Sequence, residues 1–227
     1  MTIDPLRHVT VFPPSAFGDK RVDIIGCGAT GSRIILSLAK LGVTNIHAWD
    51  FDSVEEHNIA NQDYGLAELG MQKTDAIAQV VKRDTGLTIS THAERVDGSQ
   101  ELGEVVFLLT DTMASRKTIW EQGLRYRFQT SLVIETRMGA DNGRVYAVNP
   151  KRRDHVVLYE ETLYSDEEAE VSACGAAVSV GPTADVIAGL AVWQMIRWFA
   201  VERGEKDVLE NELIFSLAST AFLSRTF

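Results

Sequence analysis

Residues 26–31 of this 227-residue chain read Gly-Cys-Gly-Ala-Thr-Gly, which is the spacing GxGxxG. The first glycine of such a motif permits a tight turn, the second lets the backbone approach phosphate oxygens, and the third lets helix and strand pack closely. A helix that starts here offers free N–H groups and a partial positive charge to an anion. The motif therefore predicts a nucleotide site, with a turn used only for packing as the alternative; the candidates are Gly26, Gly28, Thr30 and Gly31.

An acid follows the glycine motif at a suitable distance. Asp50 ends the next predicted strand, about where an acid commonly meets a ribose hydroxyl. These two features alone favour NAD as the ligand, so an NAD-dependent oxidoreductase is one interpretation. Asp50 could instead be a turn or cap residue, and the same alternative applies to Asp52.

Further blocks of polar residues follow in order along the chain. Residues 50–62 read DFDSVEEHNIANQ, Lys73 opens a predicted helix, and residues 110–116 read TDTMASR. Together with GCGATGS at residues 26–32, this set resembles the ThiF/MoeB/HesA family, the adenylation domains of ubiquitin-activating enzymes and their bacterial relatives. The resemblance covers nearly the whole chain, because residues 174–182 (CGAAVSVGP) are similar to the family's cysteine-bearing segment before its long C-terminal helix.

The resemblance implies adenylation, in which a carboxylate oxygen attacks the α-phosphorus of ATP and pyrophosphate leaves. Such a site must offset phosphate charge with cations and Mg²⁺. By resemblance, Asp50 binds the ribose hydroxyls with Asp52 nearby, Asn58 supports the phosphates, and Lys73 pairs with phosphate oxygens. Asp111 would hold Mg²⁺, and Lys73 and Asp111 would be catalytic. Lys73 could instead be a solvated helix charge, and Asp111 could cap its helix.

One position departs from the family pattern. The family usually reads Asn-x-x-Arg-Gln after the second strand, and its arginine contacts the ATP phosphates, whereas this chain has Asn61 there. A neutral amide cannot replace a planar, charged guanidinium that binds phosphate with two parallel hydrogen bonds. Either another cation compensates, with Arg116 or Arg7 as candidates, or adenylation is slow or lost.

The chain has two cysteines. Cys174 matches the family segment in which an activated carbonyl passes to sulfur. A nearby helix N-terminus would favour its thiolate, whereas the acidic loop before it would oppose ionisation. The alternative is a buried, unreactive cysteine, which is common for this residue type. Cys27 lies inside the phosphate turn and is expected only to fill space.

These observations predict an ATP- and Mg²⁺-dependent adenylyltransferase. Its expected substrate is the C-terminal carboxylate of a small ubiquitin-like or sulfur-carrier protein, with possible transfer to Cys174, and the enzyme is expected to be a homodimer. A catalytically degenerate scaffold that dimerises with an active partner is the main alternative, supported by Asn61.

Bulk composition excludes other classes. The formal net charge of −10 argues against nucleic-acid binding, which needs clustered Lys and Arg. Because no CxxC pair exists, we expect no structural zinc and no disulfide framework. The N-terminus lacks the pattern of a signal peptide. The apolar segment Val186–Val201 contains Arg197 and is short for a membrane span, so a buried helix and a cytoplasmic location are expected.

The elements that must position these residues alternate. Strand Arg21–Ile25, helix Thr30–Leu41 and strand Asn45–Trp49 form a βαβ unit, and later strands and helices repeat it. Further predicted helices and strands are Lys73–Asp84, Leu87–Ala93, Val105–Leu109, Asp111–Tyr126, Ser131–Glu135, Gly143–Val148, a long helix from Pro182 to about Arg203, and one or two strands in Glu212–Phe222. This predicts a doubly wound, Rossmann-like, mostly parallel α/β sheet with a mixed or antiparallel C-terminal extension. We expect one domain over residues 1–227, with a nucleotide-binding half (1–135), a carrier-protein-binding half (136–227) and a mobile loop (150–173).

Overall fold

The computed structural model describes residues 3–166 and 179–227 of the chain. The strands are β1 Val22–Ile25, β2 Ile46–Trp49, β3 Ser90–His92, β4 Val105–Leu108, β5 Leu132–Met138, β6 Asn142–Val148, β7 Glu212–Ser216 and β8 Ala221–Arg225. The helices are α1 Pro14–Phe17, α2 Ala29–Leu41, α3 Lys73–Thr85, α4 Met113–Ile119, α5 Arg153–Glu160 and α6 Gly181–Glu202. The strands form one eight-stranded sheet in the order β3-β2-β1-β4-β5-β6-β7-β8.

The sheet changes direction at β5. Strands β3, β2, β1, β4 and β5 are parallel neighbours, whereas β6, β7 and β8 add antiparallel pairs. A hairpin reverses the chain between β5 and β6, and in it the Gly139 N–H donates to the Asn142 carbonyl at 3.0 Å. This is the mostly parallel, Rossmann-like sheet with an antiparallel extension that the sequence predicts. The expected boundary at 135/136 falls inside β5.

The first βαβ unit follows from its residue types. All four residues of β1 are buried, as expected for a central parallel strand covered on both faces. In α2 the residues Ile34, Ile35 and Leu38 are fully buried at helical spacing, and Gly42 ends the helix in the left-handed region at φ +89°. Burying each such side chain stabilises the fold by about 1.5–3 kcal/mol. Helix and strand bounds match the prediction within one residue.

Two cores lie on opposite faces of the sheet. The larger contains Ile24 and Phe107 and is covered by α2, α3 and α6. The smaller contains Ile25 and Val106, together with Trp120, which follows α4, and with residues of α5. Neighbouring residues of one strand thus enter different cores, because successive side chains of a strand point to opposite faces.

The predicted helix Asp111–Tyr126 is shorter and less regular in the structure. Helix α4 covers Met113–Ile119 and continues as a π-helical turn, Trp120–Leu124. The Thr112 side chain caps it by accepting from the Ser115 N–H at 3.2 Å. Thr112 is therefore the N-cap residue, and the capping alternative for Asp111 is not what the structure contains.

The interval expected to be a mobile loop contains a helix. Helix α5 covers Arg153–Glu160 and buries Val156 and Tyr159, which lie three residues apart on one face and pack in the smaller core. The acidic composition of the interval hides this pair of apolar residues. The remaining part of the expected loop, residues 167–173, lies outside the described residues.

Helix α6 is the long C-terminal helix of the prediction and begins with Pro182 in its first turn. By length and composition it could cross a membrane, and it is the one helix of residues 3–166 and 179–227 that meets this test. It packs against α2, β5 and β6, and Ile187, Ala191 and Met195 are fully buried. This is the environment of a core helix, as the sequence predicts.

Candidate functional site

A cavity of about 450 Å³ lies over the carboxyl ends of β1, β2 and β4, and we call it the glycine-turn cavity. The structure gathers here residues from four separated parts of the sequence. Open α/β sheets commonly bind ligands at this edge. All of the predicted nucleotide, phosphate and magnesium residues line it: Gly26, Gly28, Thr30, Gly31, Asp50, Asp52, Asn58, Asn61, Lys73, Asp111 and Arg116.

The glycine turn is shaped by two close backbone approaches. Gly26 has φ +102°, and a Cβ on Gly31 would lie 1.9 Å from the Gly26 carbonyl oxygen. A Cβ on Gly28, by contrast, would meet no atom within 4 Å. The first and third glycines are therefore required by the fold, whereas the second leaves open space from which a phosphate can approach the backbone.

Asp50 stabilises the glycine turn and the loop after β2 by accepting two backbone hydrogen bonds. Its carboxylate accepts hydrogen bonds from the Cys27 N–H at 2.7 Å and from the Asp52 N–H at 2.9 Å. Burial raises the pKa of the Asp50 carboxyl, and the two N–H groups oppose that rise. Asp50 is thus a turn-forming residue that also lines the cavity, so the two interpretations of this acid are compatible.

Lys73 and Asp52 form a pair at the cavity wall. The Lys73 side chain is 10% exposed, and its Nζ lies 3.0 Å from Asp52 Oδ2. The Lys73 backbone N–H also donates to the Asp52 carbonyl at 2.9 Å, which fixes the start of α3 against this loop. Such a lysine is not a freely solvated helix charge. Its ammonium group has a defined position from which it can meet an anion.

Asn58 and Asn61 lie in and after the 3₁₀ turn Glu56–Ala60. Asn58 Oδ1 accepts from the Glu55 N–H at 2.9 Å as one half of a capping box, and Asn58 also lines the cavity. Asn61 Oδ1 is buried without a hydrogen-bond partner among the described residues, and its Nδ2 lies 3.5 Å from the Ser179 carbonyl. Rotation of this amide would exchange the two groups and present a donor instead.

Sequence reasoning missed a cation next to Asn61. Arg33, on α2, donates to the carbonyls of Asn61 at 2.7 Å and Ala29 at 2.9 Å, and it pairs with Asp185 of α6. Its guanidinium thus joins the glycine turn, the 3₁₀ turn and α6. Only the spatial meeting of these three segments identifies this role, because Arg33 by itself looks like an ordinary helix residue.

Arg116 lines the glycine-turn cavity, but its charge is already paired. The guanidinium forms an ion pair with the fully buried Glu135 and donates to the Thr110 carbonyl. As a substitute for the family arginine it is therefore weaker than the sequence suggests. Arg7, the other candidate, is exposed and does not line this cavity.

Asp111 is exposed at the mouth of the cavity. Mg²⁺ commonly binds through one or two carboxylates together with substrate phosphates and waters, so a single acid at this position fits the ion. Residues 3–166 and 179–227 contain no group of three His, Cys, Asp or Glu side chains that would hold a metal without a nucleotide. The donors present thus suit a metal that arrives with phosphate.

A pair of residues that the sequence analysis did not single out lines this cavity. The Arg95 guanidinium lies 3.8 Å from the centre of the Phe51 ring. Trp49 and Val96 line the same cavity. Flat groups such as the Phe51 ring and the Arg95 guanidinium are suited to stacking on a nucleobase.

A second cavity of about 760 Å³, which we call the arginine cavity, adjoins the first. Asp111, Arg116 and Met138 line both cavities. The arginine cavity also has Arg137, Arg144 and Arg225 in its wall. None of these three was identified from the sequence, since each is an isolated arginine in its own segment.

Of the two cysteines, Cys27 lies within the described residues. Cys174 lies outside the described residues. Burial, with the negative charge of Asp50, raises the pKa of the Cys27 thiol well above its usual value. The Cys27 carbonyl accepts from the Tyr64 hydroxyl at 2.6 Å. Cys27 is therefore a protonated, enclosed side chain, as expected for a residue that fills space.

Solved structures share this architecture. A structure of E. coli MccB with AMPCPP and MccA has a TM-score of 0.70 and 16% identity, and covers 96% of this chain and 66% of the MccB chain. A structure of PaaA has a TM-score of 0.71 and 19% identity, and covers 99% of this chain and 69% of that chain. MccB with ATP gives a TM-score of 0.69 with 15% identity. At these identities the likeness establishes the fold, and the chain spans about two thirds of MccB.

Sequence comparison adds shorter matches and a family. Two uncharacterised proteins of Sinorhizobium fredii (strain NBRC 101917 / NGR234), y4qC and y4oA, are 35% identical over 65 residues and 40% identical over 63 residues. The matched segments are 29% and 28% of this chain but only 11% of each relative. The model of the ThiF family matches residues 15–226, nearly the whole chain. This protein belongs to the ThiF family.

Proposed function

We propose that this protein uses ATP to adenylylate a carboxylate of a peptide or small carrier protein. The observation that carries the proposal is the meeting of residues from four separated sequence blocks around the glycine-turn cavity. Membership of the ThiF family and the fold of MccB, one of whose structures contains ATP, support it. We further propose that the substrate is the C-terminal carboxylate of a ubiquitin-like or sulfur-carrier protein and that the enzyme is a homodimer.

The proposed reaction uses different residues of the glycine-turn cavity for the base, the ribose and the phosphates. The base lies toward Phe51 and Arg95, the ribose hydroxyls meet Asp50, and the triphosphate crosses the glycine turn toward Lys73. Mg²⁺ held at Asp111 would offset negative charge on the phosphates. The carboxylate enters from the arginine cavity past Asp111; its oxygen forms a bond to the α-phosphorus while the bond to the pyrophosphate oxygen breaks.

Lys73 is the cation placed to act on the phosphates. Its ammonium group is pinned by Asp52 at 3.0 Å, so it loses little conformational freedom when it meets an anion. Asn61 supplies no charge, and the Arg116 guanidinium is held by the fully buried Glu135. The proposal therefore assigns more of the phosphate charge to Lys73 and the metal than the family pattern does.

The test is ATP binding by calorimetry with magnesium, followed by exchange of labelled pyrophosphate into ATP with probe peptides that end in Gly-Gly. Lys73→Ala removes the proposed phosphate cation, and we expect ATP affinity to fall about 10- to 100-fold. Lys82→Ala, in the last turn of the same helix, is the matched control and is expected to bind ATP normally. NAD is the comparison ligand. Tighter binding of NAD than of ATP, or equal binding by the two lysine variants, would refute the proposal.

A degenerate scaffold is the second candidate. It is favoured by Asn61 Oδ1, which is buried and has no hydrogen-bond partner within residues 3–166 and 179–227, because an acceptor oxygen repels phosphate. Asn61→Arg restores the family residue and separates the two functions. If the native chain binds no ATP and the variant does, the scaffold is correct. If both bind ATP and exchange pyrophosphate, the enzyme is correct. Sedimentation of the native chain tests the homodimer.

A further inference from the structure

The wall of the arginine cavity is built by one face of the antiparallel extension. Strand register places Glu135, Tyr146, Glu212 and Arg225 side by side across β5, β6, β7 and β8. Residues that are paired in this way point to the same face of a sheet. A row of charged side chains on a sheet face implies that this face is not simply part of the apolar core.

A second row lies two residues along the strands, on the same face. Arg137 of β5 is paired with Arg144 of β6. The Arg137 guanidinium lies 4.4 Å from the centre of the Tyr146 ring and contacts Glu135 at 2.7 Å. The two rows therefore bring several arginines around two carboxylates.

The charges form two clusters with the same composition. In the first, Arg116 and Arg137 bind Glu135; the carboxylate is fully buried and the arginine side chains are 10% and 8% exposed. In the second, Arg144 and Arg225 bind Glu212, which is also fully buried. Two guanidinium groups on one carboxylate leave a net positive charge on each cluster.

The two clusters differ in accessibility. The Arg144 and Arg225 side chains are 50% and 59% exposed, so donors of both remain open to the cavity. Among residues 3–166 and 179–227, the acids of the cavity wall are Asp111, Glu161 and Asp166, and they come from the segments around α4 and α5 rather than from β6 or β8. The Asp166 carboxylate accepts hydrogen bonds from the backbone N–H groups at the start of α4. Within this part of the chain, the exposed positive charge is thus concentrated on the wall formed by the C-terminal strands.

Strand spacing gives the distance from this wall to Asp111. Glu212, on which Arg144 and Arg225 converge, lies on β7, three strands from β4, which leads to Asp111. Neighbouring strands are about 4.8 Å apart, so the separation across the sheet is about 14 Å. An extended peptide covers about 3.3 Å per residue, so about four residues cover the part of the distance that runs across the sheet.

The geometry points to a second recognition site, in which Arg144 and Arg225 bind an acidic side chain of the acyl substrate. This inference deepens, and rests on, the proposed function, because the reacting carboxylate is the one beside Asp111. The substrate class is a peptide or protein tail with Asp or Glu about four residues before the activated carboxylate. A guanidinium pair is well suited to this role, since each can form parallel hydrogen bonds to a carboxylate.

The experiment measures binding of synthetic eight-residue peptides to the nucleotide-free protein by fluorescence anisotropy. Each peptide ends in Gly-Gly. One carries Glu two residues before the terminal residue, one carries Glu four residues before it, and one carries no Glu. Matched peptides have Gln in place of each Glu. We expect the peptide with Glu at the fourth position to bind about tenfold more tightly than its Gln partner, with the difference reduced at high salt. No nucleotide is present, so failure of ATP binding does not affect the result.

Arg144→Gln and Arg225→Gln are each expected to remove that preference, while the remaining arginine keeps Glu212 paired. The control is Arg152→Gln, because Arg152 is 57% exposed and ion-paired with Asp154 but does not line the cavity. Thermal unfolding shows whether each variant is folded. If Arg225→Gln does not fold, Arg225→Lys replaces it, because lysine keeps the positive charge beside Glu212. Equal binding of Glu and Gln peptides, no dependence on Glu position, or displacement of the peptide by single-stranded RNA at equal concentration would overturn the inference.

Discussion

The parallel part of the sheet and the antiparallel extension form their cavities by different means. Around the glycine turn the shape comes from the backbone, since Gly26 and Gly31 allow an approach that no Cβ would permit. In the extension the shape comes from side chains, since buried Glu135 and Glu212 each hold two arginines. A backbone site suits a ligand that is always the same, whereas a side-chain site can change with the substrate.

The largest expected effect is at Glu135 of β5, the strand on which the extension begins. Glu135→Gln leaves Arg116 and Arg137 buried without their counter-charge, and we expect the free energy of unfolding to fall by about 3–5 kcal/mol. Urea unfolding measures this change. Glu104→Gln, which breaks only the partly exposed pair with Lys20, should cost at most about 1 kcal/mol. Equal losses for the two variants would mean that the buried cluster is no more important than a surface pair.

Acid should remove the same contribution. Burial alone would raise the pKa of the Glu135 carboxyl, but Arg116 and Arg137 hold it below its usual value. A carboxyl whose pKa is lower in the folded state stabilises the fold above its unfolded pKa of about 4.3 and loses that contribution as the pH falls further. The difference between native chain and Glu135→Gln should therefore be present at pH 7 and shrink below about pH 4.

The next effect concerns the backbone site. Gly31→Ala places a Cβ against the Gly26 carbonyl and should lower the free energy of unfolding by about 1–3 kcal/mol. Gly28→Ala meets no atom and should keep the native stability but weaken ATP binding, because the methyl group occupies the approach of the phosphates. Thermal unfolding and calorimetry measure the two quantities. Loss of stability in Gly28→Ala would contradict the separate roles of these glycines.

A smaller effect is expected at Phe51, which lines the glycine-turn cavity. Phe51→Ala removes the ring that lies against Arg95, and ATP affinity should fall by about 0.5–1 kcal/mol, or two- to fivefold. The control is Phe128→Ala, because Phe128 is 84% exposed and lines neither cavity. If both variants bind ATP as the native chain does, the base does not lie on this ring.

The last prediction is that the Cys27 thiol does not react in the folded protein. In a Cys174→Ser variant, Cys27 is the remaining cysteine, and its raised pKa and burial should prevent labelling by a thiol reagent at pH 8. Labelling should become complete in denaturant. Rapid labelling of the folded variant would show that the glycine turn opens and exposes Cys27. The interpretation of this turn as a rigid backbone site would then be wrong.

Much of the parallel part could be predicted from sequence because its signals are local. The glycine spacing, the acid at Asp50 and the lysine that opens α3 each depend on residues near one another in the chain. Their common cavity follows from parallel strands ending at one edge. The pairing of Lys73 with Asp52, by contrast, required the fold.

The extension could not be predicted to the same depth because its partners are far apart in sequence. Arg225 meets Glu212, and Arg116 meets Glu135, only after strands and helices are in register. The expected strand ended at Glu135, which left Arg137 outside it, although β5 continues to Met138. Polar side chains occur at every second residue of β5 (Glu135, Arg137) and of β6 (Arg144, Tyr146). This alternation was the available sign in the sequence that the two strands share a polar face.

Glu135 also has a consequence for how two ligands interact. It is the shared counter-ion of Arg116, which lines both cavities, and Arg137, which lines the arginine cavity. When an anion draws one guanidinium away from the Glu135 carboxylate, the ion pair between Glu135 and the other guanidinium becomes stronger. If a nucleotide binds in the glycine-turn cavity and an acyl chain in the arginine cavity, as proposed, each would alter the affinity of the other by the same factor, in either order of addition. Glu135 would then couple the two proposed binding steps thermodynamically.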